Sequence, residues 1–367
     1  MALRTAVIGA GVVSDRHLSG IRANPRTELV AVCDLDVDRA RESAKRYGIK
    51  AYFESAELFA NESLDWVHIC TPVETHVPLA LESIEAGVPV LIEKPVAESV
   101  EAVETLMNAS REQDVPVSVV HNHRFGHAIR SARERIETGA LGEIRGVDLI
   151  YTGSTPPDTP NRGSWAFDLL GGEFEEGLPH SLYLALAIGG YPADRDAVSA
   201  HTALRGTYDR PFGYDGAQVG FETEEGVLCN VTVLSGTIPI RIMYVHGTDA
   251  SIAADLVSQT LLTFDRDYKG SARARALNNL DQVVDRVRGT VDNAVSVLQR
   301  TWNGGWEASA ALDSIYYQFD REVDALLLQE DPPVPMEEAW WTIALMEAIR
   351  DSAADRPEVA ITGSPAG

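Results

Sequence analysis

Lysine is nearly missing from this chain of 367 residues. Only Lys45, Lys50, Lys94 and Lys269 are present, and arginine supplies the rest of the 31 basic side chains. Against 55 Asp and Glu this leaves a net charge of −24, which repels nucleic acid and anionic membrane surfaces. Many carboxylates with few lysines are the balance expected of a halophilic protein, because salt screens their repulsion. Cysteine is scarce too. Cys33, Cys70 and Cys229 are widely separated, which argues against a disulfide framework and for a reducing, cytoplasmic setting. No apolar run approaches a membrane span, and no basic segment precedes a cleavage-like site at the N-terminus. No Cys/His cluster has metal-ligand spacing, so no metal is expected. No Gly-x-Ser-x-Gly motif or Ser-His-Asp order suggests hydrolase chemistry.

What is present is a glycine turn. Gly9-Ala10-Gly11-Val12-Val13-Ser14 directly follows an apolar run, residues 5–8, and Asp34 ends the next one, 29–33. Such glycines permit a tight turn and let backbone approach a pyrophosphate, while the following helix offers free N–H groups and a positive dipole end. A carboxylate at the end of the second strand can bind ribose hydroxyls and would repel a 2′-phosphate. The expected cofactor is therefore NAD, held by Gly9, Gly11, Val12, Val13 and Asp34. Ser14 stands where the pattern often has glycine, and it is small enough for helix to pack on strand.

Residues 1–123 alternate strand-like and helix-like segments, which predicts a parallel sheet covered on both faces. Strands are expected at 4–9, 28–33, 66–70, 89–92 and 117–121. The turns after Cys70 and Glu93 then fall at the carboxyl edge of that sheet, where ligands bind. From 124 to 367 the texture differs. A helix is expected at 126–138, a strand at 143–152, a loop at 153–172 and a helix at 175–189. Consecutive strands at 197–206, 216–223, 227–235, 239–246 and 250–254 predict an α+β domain with a large, mostly antiparallel open sheet. A helical insertion is expected near 256–305, with Leu277, Leu280, Val284, Val287, Val291 and Leu298 as one apolar stripe. The last helices are expected near 311–329 and 336–353. An open sheet face predicts a homodimer or homotetramer.

The glycine turn, Cys70-Thr71-Pro72 with His76, Glu93-Lys94-Pro95 and His121-Asn122-His123-Arg124-Phe125, taken in order, resemble the Gfo/Idh/MocA oxidoreductase family, the glucose–fructose oxidoreductase and inositol dehydrogenase type. The resemblance implies a Rossmann domain, a substrate-binding and oligomerisation domain, and oxidation or reduction of a hydroxyl-bearing carbon of a sugar, cyclitol or nucleotide sugar. It adds Thr71, Pro72, His76, Glu93 and Lys94 to the cofactor site. Lys94 resembles the family's catalytic lysine, and independently a lysine at that sheet edge can favour a developing alkoxide. His180 stands where the family has its acid/base histidine, with Glu176 at the acidic position before it. Tyr183 replaces a usual aspartate and Leu178 a common glycine. On a helix, 176, 180 and 183 share one face. Expected substrate contacts are His121, Asn122, Arg124, Trp165, Glu176 and Tyr183. Two other readings stay open: an NAD-assisted glycosidase, and an NAD-binding regulator without catalysis.

Overall fold

The computed structural model describes residues 2–160, 164–265, 271–303 and 305–355. The stretch 161–163 of the expected loop and the tail after 355 lie outside the described residues.

In the first half, strands β1 Leu3–Ile8, β2 Thr27–Cys33, β3 Lys50–Tyr52, β4 Trp66–Ile69, β5 Val90–Ile92 and β6 Val117–Val119 alternate with helices α1 Ser14–Ala23, α2 Val37–Tyr47, α3 Ser55–Asn61, α4 His76–Glu85 and α5 Val100–Gln113. The strands are all parallel, in the order β3-β2-β1-β4-β5-β6. Chain direction across the sheet reverses between β1 and β4, so a crevice opens at their carboxyl ends. Strand β3 was not expected. It is a short edge strand, only partly buried, and its three residues show too little alternation to announce a strand.

The second half begins with α6 His127–Glu137 and β7 Ile144–Ser154 and continues into α7 Gly172–Gly189. Then come β8 Val198–Ala203, β9 Gly216–Glu222, β10 Leu228–Ser235, β11 Arg241–Gly247, β12 Ser251–Asp255 and β13 Thr260–Phe264. The sheet order is β13-β12-β11-β7-β10-β9-β8. Every pairing is antiparallel except β7 with β10. Helices α6 and α7 cover one face. The other face presents Ile150, Leu228 and Leu234 to solvent, beside Asp148, which accepts hydrogen bonds from Asn230 and pairs with His246.

The expected insertion is not purely helical, because β13 lies within it and extends the sheet. Helix α8, Ala272–Asn303, follows. It packs on edge strand β13, where Gly289 approaches Thr260 so closely that a Cβ would stand 2.9 Å from its methyl group. Asn293 donates to the Ser258 carbonyl at 2.6 Å. The apolar stripe does not cover the open sheet face within one chain: Leu280, Val287 and Val291 remain exposed.

The helix expected at 311–329 is α10, Ser314–Leu328, and a short helix α9, Trp306–Leu312, precedes it. Asp313 between them is extended, and its carboxylate caps the N–H of Ile315. Helix α10 returns to the first sheet, where Ile315, Phe319 and Val323 join Trp66, Leu91 and Val120 in one cluster. Helix α11, Met336–Ala354, packs on α5, α7 and β8. Among the described residues no helix is long and apolar enough to cross a membrane. Cys33, Cys70 and Cys229 are buried free thiols.

Candidate active site

The crevice at β1 and β4 is a cleft of about 1230 Å³. Gly9 turns the chain out of β1 at φ +101°, and a Cβ there would lie 2.7 Å from the Cys70 carbonyl. Only glycine tolerates both the dihedral and the contact. Gly11 has open space where a Cβ would stand. The first turn of α1 has no side-chain cap; the Arg16 N–H donates to the Val13 carbonyl at 3.1 Å, and the N–H groups of Ser14 and Asp15 remain available to ligand oxygens. Ser14 is buried and its hydroxyl donates back to the Gly11 carbonyl at 2.6 Å, fixing the turn on the helix. Asp34 accepts from the N–H of Ala10 at 2.6 Å and of Asp36 at 2.8 Å. Each of its oxygens keeps a further lone pair for hydroxyls in the cleft. An uncapped helix start, an open glycine and a rim carboxylate fit a dinucleotide.

Thr71, Pro72 and His76 line the same cleft. His76 is a buckle: one ring nitrogen pairs with the Thr71 carbonyl at 2.8 Å, the other with that of Pro95 at 2.9 Å. Burial holds His76 below the usual histidine value, against the pull of those two carbonyls. Behind the turn sits a buried chain. Glu93 pairs with His17 at 2.9 Å, and His17 meets His68 at 2.7 Å. The other Glu93 oxygen accepts from the N–H of Lys94 at 3.1 Å. Burial opposes charge on Glu93, but His17 and Lys94 outweigh it and hold the carboxyl below the usual range. Burial, with His17 nearby, pushes His68 well below the usual value.

Lys94 reaches across to α7, where its Nζ donates to the Glu176 carbonyl at 3.0 Å and makes an ion pair with the Glu176 carboxylate. An ammonium has three protons; the third has no partner among the described residues. Glu175, one residue earlier, turns away. It accepts from Gly171 and Tyr214 and pairs with Arg350, which anchors the start of α7.

One turn beyond Glu176, His180 Nδ1 lies 2.9 Å from the Tyr183 hydroxyl. That hydroxyl also accepts the N–H of His123 at 3.1 Å. Burial lifts the Tyr183 phenol well above its usual value, so it stays neutral. The rings form two stacks: His121 on Tyr183 at 4.0 Å, and His123 on His180 at 4.2 Å. Burial, then Arg241 and Lys94, push His123 down to about 4. Uncharged at neutral pH, it imposes no like charge on His180.

Of the expected substrate contacts, Trp165 and Glu176 line the cleft. Tyr183 does not; it is fully buried beneath His180. His121 and Arg124 are corrected likewise. Both are buried and both bind Glu338 of α11, tying the junction together. Asn122 donates to Ser314 at 3.3 Å. Sequence reasoning missed His17, whose link to Glu93 spans 76 positions with no local signal.

A doubly wound parallel sheet, a glycine turn opening into a deep cleft and a second sheet-and-helix unit at its edge define a two-domain Rossmann-type dinucleotide-binding protein. Residues 3–121 match the family described as oxidoreductase family, NAD-binding Rossmann fold, and residues 129–253 match its GFO/IDH/MocA C-terminal domain. The chain belongs to the Gfo/Idh/MocA oxidoreductase family.

Among curated relatives, the chain is 31% identical over 209 residues to dTDP-3,4-didehydro-2,6-dideoxy-alpha-D-glucose 3-reductase of Streptomyces violaceoruber, covering 56% of this chain and 60% of that one. It is 27% identical over 263 residues to inositol 2-dehydrogenase of Rhizobium meliloti, covering 70% and 76%. The first three curated relatives are matched over 60%, 41% and 37% of their lengths. Among solved structures, the WlbA dehydrogenase from Bordetella pertussis in complex with NADH and UDP-GlcNAcA shares the fold, with a TM-score of 0.72 at 19% identity over 97% of both chains.

Proposed function

We propose that this protein is an NAD-dependent dehydrogenase acting on a CH–OH group of a sugar, cyclitol or nucleotide sugar. The observation that carries the reading is the bridge from Lys94 to Glu176 at the cleft, with His180 one helical turn further on. Glu176 holds two of the lysine's protons, which aims the third at a substrate oxygen. Lys94 then stabilises negative charge developing on that oxygen. His180 takes the hydroxyl proton as the C–H bond breaks, and returns it in the reverse direction. A bound nicotinamide supplies the hydride acceptor. Tyr183 suits a reversible reaction: a neutral phenol can either donate to His180 Nδ1 or accept from it, so the imidazole can switch tautomer as the proton moves. An aspartate there could only accept. Asp34 serves the adenosine ribose, and Trp165 offers a flat surface to a sugar ring.

The reading extends to a boundary near residues 123–124 between cofactor and substrate domains, to a cytoplasmic setting, and to self-association through the uncovered face of the second sheet. The carboxylate excess supports a high-salt environment. A panel of sugars, cyclitols and nucleotide sugars assayed for NADH formation in dilute and molar salt tests the function. At least one should reduce NAD, faster and from a more stable, oligomeric protein in molar salt. A panel without NADH formation in either buffer would overturn it.

A further inference from the structure

A second cavity, of about 440 Å³, lies between α6, the edge of β7 and β11, and helices α8 and α9. In a chain of net charge −24, none of the described residues lining it is acidic. Its wall holds Arg130, Arg241, His123 and His127. Arg241 stacks 4.4 Å over the Tyr151 ring, and its side chain makes no hydrogen bond or ion pair with any described residue. Arg130 stacks 3.9 Å over Tyr317, and one of its nitrogens donates to the Ala311 carbonyl at 2.8 Å. The Nε of both arginines is buried and has no partner among the described residues. Nearby carboxylates are engaged or stand back: Asp313 pairs with Arg16 at 2.8 Å, and Asp292 acts on His127 from outside the lining. Buried guanidinium donors left unpaired are costly, and stacked, preoriented forks match planar or tetrahedral anions.

The cavity also adjoins the reacting end. His123 lines it and stacks on His180 at 4.2 Å.

We propose that this cavity is an anion subsite, in which Arg241 and Arg130 receive a phosphate or carboxylate carried by the substrate whose hydroxyl meets Lys94. The substrate is thus an acidic or phosphorylated sugar rather than a neutral one. This rests on the reading of Lys94 and His180 as the reacting end.

The test is calorimetric titration of the full-length, NAD-saturated protein at fixed ionic strength with glucose 6-phosphate, glucuronate and glucose. At least one anionic probe should bind about tenfold or more tighter than glucose. Which one does so separates phosphate from carboxylate. Arg241→Gln should lower that affinity by about tenfold or more, the loss of a charge-assisted hydrogen bond. Leu312→Glu, at the exposed rim, should weaken it by repulsion and keeps the test alive if Arg241→Gln does not fold. NAD affinity should not move in either variant. Equal binding of all three probes, or unaltered anion affinity in the variants, would overturn the subsite. An Arg241-dependent preference without NADH formation from any sugar would keep the subsite and remove the dehydrogenase reading. NADH formation from neutral sugars without anion preference would do the opposite.

Discussion

The parallel sheet and the mixed sheet treat charge differently. Behind the first, Glu93 meets His17 and the backbone of Lys94, and the pairing closes within the fold. Beside the second, Arg130 and Arg241 lie on aromatic rings, with no carboxylate paired to either among the described residues. Charge satisfied internally gives rigidity; charge left without a counterion awaits something from outside. Lys94 stands between these conditions, tied to Glu176 by two of its three protons.

Removing Lys94 therefore breaks the comparison most sharply. Lys94→Ala should depress turnover about a hundredfold or more across the pH range, as for loss of a transition-state donor. NAD affinity by fluorescence titration should stay near that of the unaltered protein; a large loss would make Lys94 a cofactor ligand instead.

His180→Ala tests the adjustable side. Turnover should fall by about a hundredfold at neutral pH, where general acid–base catalysis contributes most. The pH–rate profile should also flatten, and a profile that keeps its shape would move the proton transfer elsewhere.

At the cleft's far end, Asp34→Ala should narrow the preference for NAD over NADP by the worth of one or two charge-assisted hydrogen bonds, about 1.5–3 kcal/mol each. Equal affinities in the unaltered protein would refute the ribose role.

An effect on stability rather than turnover concerns a carboxylate that fits neither pattern. Glu322 on α10 is buried with Ser118 and Gln318 and meets no cation among the described residues. Burial pushes it up to about 7, against the pull of those two hydrogen bonds. The folded protein thus keeps a proton that the unfolded chain releases nearer the ordinary glutamate value. Stability should fall as pH rises from that value to about 7, by up to roughly 1.4 kcal/mol per pH unit. Glu322→Gln should abolish this slope, as measured by urea unfolding at pH 5 and pH 8.

The two halves also differed in how much their sequence revealed. Strands β1, β2 and β4 are apolar runs ending at a glycine, an aspartate or a proline turn, so composition and punctuation coincide. Lys94 and Glu176 could be singled out because each sits in a contiguous motif, but the bridge between them spans 82 positions and has no local signal. Strand β13 was not, since its five residues are mostly half-buried and take their place from pairing with β12. The break at Asp313 between α9 and α10 was hidden because its flanks are both helical and only the cap marks it. Tyr183 was correctly placed beside His180, but its bond to the His123 backbone depends on how α7 meets the junction. Arg130 and Arg241 lie 111 positions apart and announce nothing locally.

Helix α10 carries a consequence for the order of synthesis. The chain finishes every strand of the first sheet by Val119, yet the helix that covers Trp66 and Leu91 begins only at Ser314. Until the ribosome has released that segment, the part of one sheet face formed by Trp66, Leu91 and Val120 displays bare indole and aliphatic surface. A nascent or prematurely terminated product would therefore be sticky and a natural client for chaperones. The cofactor half becomes a finished object only once the chain has been made through Leu328.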